Sequence, residues 1–92
     1  RIVSRRWRGK GGEIDLIVQD GDGLIFVEVK KSRSHGRAAQ SLSRRQMDRI
    51  SMAASEFLGT QPRGQLTDVR FDLATVNGAG EIAILENAFQ EL

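Results

Sequence analysis

Apolar residues recur at every second position in two neighbouring runs: Ile14, Leu16 and Val18, then Ile25, Val27 and Val29. A period of two predicts strands over Glu13–Gln19 and Leu24–Lys31, and the DGDG between them is a strong hairpin signal. Ile2–Trp7 reads as a short strand ahead of them, joined through RGKGG, a flexible connector that lacks the spacing of a phosphate-binding P-loop. Residues 32–42, SRSHGRAAQSL, show no period and read as a basic, mobile loop. At Ser43 the period becomes helical, with Met47, Ile50, Ala54, Phe57 and Leu58 along one stripe suited to packing on a sheet. Ser43 stands three residues before Gln46, an S-x-x-Q box that satisfies two orphan backbone donors reciprocally, and Gly59 and Pro62 close the helix. VRFDLATV (69–76) is the next strand, NGAG a turn and EIAIL (81–85) a short final strand. Strand–helix–strand between residues 24 and 76 predicts a right-handed crossover and parallel pairing. The expectation is an α/β fold: a mixed sheet containing an antiparallel hairpin, with helical cover.

Four charges interrupt this pattern. Glu13 and Asp15 lie on the face opposite Ile14, Leu16 and Val18; Glu28 and Lys30 lie opposite Ile25, Val27 and Val29, on the face that also carries Leu24 and Phe26. A two-residue turn at Gly21-Asp22 pairs Asp20 with Gly23, which sets Leu16 against Val27, Asp15 against Glu28 and Glu13 against Lys30. A slip of one residue would oppose charged to apolar side chains. Shifting the turn by a residue pair would oppose Asp15 to Lys30 and keep all four charges on one face. Directly opposed Cβ atoms lie about 4.5–5.5 Å apart, and like charges there destabilise a sheet. A divalent cation between the carboxylates removes the conflict, since one or two carboxylates, waters and substrate phosphate suit Mg²⁺. The bland alternative is an exposed face with Glu13 and Lys30 as a weak surface ion pair.

Composition sharpens this picture in two ways. Ninety-two residues make one domain, residues 1–92, with one modest core. No cysteine and a single histidine, His35, exclude disulfide scaffolds, thiolate zinc sites and His-rich metal sites. No apolar run approaches membrane-spanning length and no secretory signal is visible, so a cytoplasmic protein without membrane association is expected. Residues 1–50 hold 12 of the 14 basic groups and 6 of the 12 acids, a balance of +6, while residues 51–92 stand at −4. One basic block is Arg1, Arg5, Arg6, Arg8 and Lys10; the other is Lys30, Lys31, Arg33, Arg37, Arg44, Arg45 and Arg49. Such polarity suits a polyanion. The nucleic-acid contacts expected are Arg5, Arg6, Arg8, Lys10, Lys31, Arg33, Arg44 and Arg45. Trp7 reads as a core or rim residue before a base-stacking one, and His35 as solvent-exposed before a phosphate contact. Asp72 shares a strand face with Arg70, which favours a structural ion pair over a third metal ligand.

At EIDLI…FVEVKK the chain resembles the YraN family, uncharacterised bacterial proteins related to PD-(D/E)xK nucleases and Holliday-junction-resolvase-like enzymes. The resemblance also covers GGEIDLI (11–17) after RGK, RFD (70–72) and NAF (87–89). It implies a restriction-endonuclease-like three-layer core, α-β-β-β-α-β. By position, Asp15 and Glu28 become metal ligands for Mg²⁺ or Mn²⁺, with the Val29 carbonyl as third ligand and Lys30 as the group that positions water. Glu13 becomes an outer ligand or a restraint on Lys30, and Gln46 a helix residue that assists the site beside its capping role. Ile14 replaces the Pro of the nominal motif. Relatives add an acid from a helix before the first strand; no acid precedes Glu13 and the chain starts at Arg1, so that helix is expected outside this chain. The function expected is Mg²⁺-dependent hydrolysis of nucleic-acid phosphodiesters, DNA before RNA and branched DNA in particular, with homodimers as in junction resolvers. The alternatives are a nucleic-acid-binding domain that keeps the fold without hydrolysis, and an interaction module with an incidental charge cluster.

Overall fold

In the computed structural model, which describes residues 1–89, five strands form one mixed sheet in the order β1-β2-β3-β4-β5. The last three positions of the expected 1–92 domain lie outside the described residues. The strands are β1 (Ile2–Arg8), β2 (Glu13–Asp20), β3 (Gly23–Lys31), β4 (Val69–Val76) and β5 (Ile82–Leu85). β1, β2 and β3 run antiparallel in turn, β3 and β4 are parallel, and β5 returns antiparallel on β4. The parallel pair is spanned by α1 (His35–Gln40), α2 (Arg44–Leu58) and a 3₁₀ turn at Gly64–Leu66. This α/β arrangement agrees with a restriction-endonuclease-like core.

The hairpin register is the expected one: Asp20 pairs with Gly23, Val18 with Ile25 and Leu16 with Val27. Gly21 takes φ +60° in the turn, a conformation that costs a side chain but not a glycine. α2 also begins as its sequence implies. The Ser43 hydroxyl accepts from Gln46 N at 3.1 Å, and the Gln46 side-chain carbonyl accepts from Ser43 N at 3.1 Å. Gly59 caps the other end.

The core lies between α2 and one sheet face. Ile17, Leu24, Phe26 and Phe71 from the sheet meet Ile50, Ala53, Ala54, Phe57 and Leu58 from the helix. A row of aromatic rings runs through it. Trp7 meets Phe57 edge-on at 5.4 Å, Phe57 meets Phe26 at 6.1 Å, Phe26 stacks on Phe71 at 5.5 Å, and Phe71 packs on Phe89 at 5.0 Å. Full burial of a ring such as Phe26 stabilises the fold by about 2–3 kcal/mol. Trp7 is thus a rim residue of the core, as expected. The RFD and NAF segments meet here too. Ala88 N donates to Phe71 O at 2.8 Å, and Asp72 accepts from Arg70 at 2.8 and 3.0 Å and from Asn87 N at 3.0 Å. The ion-pair reading of Asp72 holds.

Four expectations are corrected. Residues 32–42 are not an unstructured loop: Ser34 caps α1, Ala38 is buried, and His35 Nδ1 lies 2.7 Å from the Thr75 hydroxyl on β4. His35 is therefore half-buried and latched to the sheet rather than solvent-exposed. RGKGG is not a free connector either. Gly9 N donates to Gly12 O at 2.9 Å, and Lys10 N donates to Glu56 of α2 at 2.9 Å. A Cβ on Gly9 would sit 2.5 Å from Glu56 Oε1 and 2.7 Å from the Trp7 ring, so a side chain there would displace both. Finally, Ile14 leaves the face of Leu16 and Val18 and is buried in the core with Ile17. The β1–β2 ladder passes from Arg5–Leu16 to Trp7–Ile14 with no Arg6–Asp15 pair, and Arg6 has φ +52°. Alternation breaks at that step.

Leu16, Val18, Ile25, Val27 and Val29 remain on the opposite face, where Ala74, Val76, Ile82 and Ile84 join them around an open apolar groove of about 460 Å³. Among the described residues, no helix is long and apolar enough to cross a membrane.

Candidate active site

The break in alternation builds the site. The regular β2–β3 ladder ends at Leu16–Val27. Beyond it Val29 N–H, which a continued ladder would give to the β2 backbone, donates instead to Asp15 Oδ2 at 2.8 Å. The expected Ile14–Val29 pairing is thus replaced by a side-chain contact. N–H and C=O of one strand residue point to the same edge, so the Val29 carbonyl faces this opening as well.

Glu28 reaches the same place from β3. Its carboxyl lies close enough to Asp15 for that neighbour to disfavour its charge, and its second neighbour is Lys30, with Nζ 3.4 Å from Oε2. Both side chains are largely enclosed, Glu28 at 13% and Lys30 at 18% exposure. Burial, and then the hydrogen bond and charge of Asp15, push the Glu28 carboxyl up to about 7; Lys30 pulls the other way and does not cancel them. Two carboxyls therefore face each other in a partly closed cleft. The cleft measures about 220 Å³ and is lined by Gly12, Glu13, Asp15, Glu28, Gln46, Arg49 and Ile50.

Glu13 lines the cleft but does not reach Lys30. It faces Arg8 across the β1–β2 ladder, with Arg8 at 2.9 Å and Arg6 at 3.5 Å from its carboxylate. The Arg8 hydrogen bond, and then the Arg6 and Arg8 charges, hold its carboxyl below the usual range. Both the surface pair with Lys30 and the restraint on Lys30 are corrected: Lys30 is held by Glu28. Gln46 closes the capping box with its carbonyl, as expected, and it lines the cleft one helical turn from Ile50.

Asp15 and Glu28 fit a small hard cation: two adjacent carboxylates, one of them reluctant to ionise without a positive partner, beside a strand carbonyl. Among the described residues no group of three or more Asp, Glu, His or Cys side chains gathers around one point. Remaining positions would fall to Val29 O, water and substrate, a pattern Mg²⁺ accepts.

The eight basic residues expected to hold nucleic acid are all exposed. Arg6 and Arg8 are engaged by Glu13 and Arg44 by Asp48 at 3.3 Å, whereas Arg5, Lys10, Lys31, Arg33 and Arg45 have no ion pair among the described residues. Sequence reasoning placed Arg49 in the basic block but not at the site, although its position three residues after Gln46 puts both on one helix face.

Comparison with known proteins gives the kinship. The model of the uncharacterised protein family UPF0102 matches residues 1–76, and it corresponds to the YraN family of the resemblance. A UPF0102 protein of Cereibacter sphaeroides is 64% identical over 88 residues, covering 96% of this chain and 75% of that protein. One from Ruegeria pomeroyi is 59% identical, with 96% and 72% covered, and one from Roseobacter denitrificans 50% identical, with 96% and 68% covered.

Proposed function

This chain belongs to the uncharacterised protein family UPF0102, and on that premise we propose that it is a metal-dependent endonuclease that hydrolyses nucleic-acid phosphodiester bonds. The observation that carries the reading is the Asp15–Glu28 carboxyl pair with Lys30 Nζ 3.4 Å from Glu28, enclosed in a cleft below an arginine-rich edge strand. A bound Mg²⁺ or Mn²⁺ would polarise the phosphate and acidify a water. Asp15 and Glu28 hold that cation, aided by Val29 O, and Val29 N–H fixes the Asp15 carboxylate so that it need not reorganise. Lys30 is kept within reach by Glu28, where its amine orients a water or takes its proton. Arg5, Lys10, Lys31, Arg33 and Arg45 grip backbone phosphates without reading bases, which suits DNA chosen by shape, branched junctions first.

The test uses the full-length protein and a labelled four-way DNA junction with Mg²⁺. Cleavage should occur, EDTA should stop it, and Lys30→Ala should slow it by about 10²-fold or more. Equal rates for wild type and Lys30→Ala remove the assignment.

A second reading is favoured by the lack, among the described residues, of a third acidic or histidine side chain at the pair. It is a nucleic-acid-binding domain without hydrolysis. It predicts salt-sensitive binding that EDTA leaves unchanged, and no cleavage with any divalent cation.

A further inference from the structure

Each carboxylate lining the cleft has a partner, and one cation lining it has none. Glu13 is answered by Arg6 and Arg8, Glu28 by Lys30, and Asp15 by Val29 N–H. Arg49 has no ion pair and no side-chain hydrogen bond among the described residues, although it lines the same cleft. The Gly11–Gly12 backbone lies beside this turn of α2: a Cβ on Gly12 would be 3.5 Å from Arg49 Cβ, an ordinary contact distance, and one on Gly11 would be 3.3 Å from Met52 Cβ. Arg49 is exposed, and its guanidinium is free to turn toward the cleft that the residue lines.

Charge decides what it extends toward. A phosphodiester brings one negative charge into the cleft. Lys30 stands 3.4 Å from Glu28 and is not among the residues lining the cleft, so the lining cation without an ion pair is Arg49. A guanidinium presents two parallel N–H donors matched to two phosphate oxygens. Gln46 leaves its amide N–H₂ available one turn away, since its carbonyl is committed to Ser43 N.

From this we infer that Arg49 is the residue that contacts the non-bridging oxygens of the phosphate being cleaved, a catalytic role distinct from the backbone grip of the exposed basic residues. The inference rests on the nuclease reading, and its test separates the two. Full-length protein labelled with ¹⁵N-arginine is titrated with the dinucleotide pdTpdT in the presence of Ca²⁺, and the Arg49 Nε–Hε resonance is followed by NMR. It should shift saturably, and Arg49→Ala should weaken pdTpdT about tenfold while leaving Mn²⁺ affinity unchanged. Arg49→Lys, which keeps the charge without the paired donors, should fall between. On a junction with Mg²⁺, Arg49→Ala should lower the single-turnover rate by about 10²–10³-fold. The inference is overturned if pdTpdT fails to bind, or if it binds with the Arg49 resonance unmoved and Arg49→Ala binding as wild type. If the wild type cuts nothing but Arg49 still shifts, hydrolysis is lost and the phosphate contact stands.

Discussion

Asp15 Oδ2 accepts a 2.8 Å hydrogen bond from Val29 N, so a carboxylate of the candidate site also substitutes for a missing rung of the sheet. Asp15→Asn keeps an oxygen for that N–H; Asp15→Ala leaves the donor without a partner. The alanine variant should be the less stable of the two by about 1–3 kcal/mol in urea unfolding. Both should lose Mn²⁺ binding in calorimetry. Equal stability would mean that the bond contributes nothing to the fold.

Glu28 titrates near 7 rather than 4.5 because it is buried beside Asp15. Between those values the folded chain keeps a proton that the unfolded chain has released. Stability should therefore fall as pH rises from about 4.5 to about 7 and level off above, by on the order of 1–3 kcal/mol. Glu28→Gln cannot ionise and should lack this component. Urea unfolding of both proteins across pH 4.5–8 checks it: profiles that stay parallel would contradict the assignment.

The same proton competes with a cation. Mn²⁺ affinity measured by calorimetry should strengthen up to about tenfold per pH unit below 7 and flatten above it. Buffers of different ionisation heat should report proton release at pH 6 and little at pH 8.

His35 is tied to Thr75 across 40 residues of sequence, at 2.7 Å. Thr75→Val keeps the shape and removes the partner, which should cost about 1 kcal/mol. The amide protons of α1 should lose hydrogen-exchange protection while those of α2 keep theirs. Unchanged protection in α1 would show that Ala38 burial alone holds the short helix.

What the sequence made legible was what short-range chemistry decides. Ser43, Gln46 and Gly59 bound α2 because capping is settled within four residues, and the turn at Gly21-Asp22 sets the hairpin register by itself. Asp15, Glu28 and Lys30 gather because that turn lays β2 beside β3, although the ladder itself stops at Leu16–Val27. The differences come from contacts distant in sequence. Glu13 turns to Arg8 because β1 lies beside β2, a pairing no local signal specifies. Ile14 changes face where Arg6 adopts a left-handed backbone. α1, six residues long with Ala38 its one fully buried side chain, has too little intrinsic stability to announce itself and forms by docking on β3 and β4.

Val29 serves two sides of the sheet with different parts of itself. Its side chain belongs to the apolar groove, while its peptide group belongs to the site. A scan of ordinary substitutions at position 29 would therefore report on the groove and stay silent about the chemistry. The amide would declare itself only to proline or to an ester linkage placed in the main chain, and part of this site is in that sense written in atoms that no encoded residue but proline can alter.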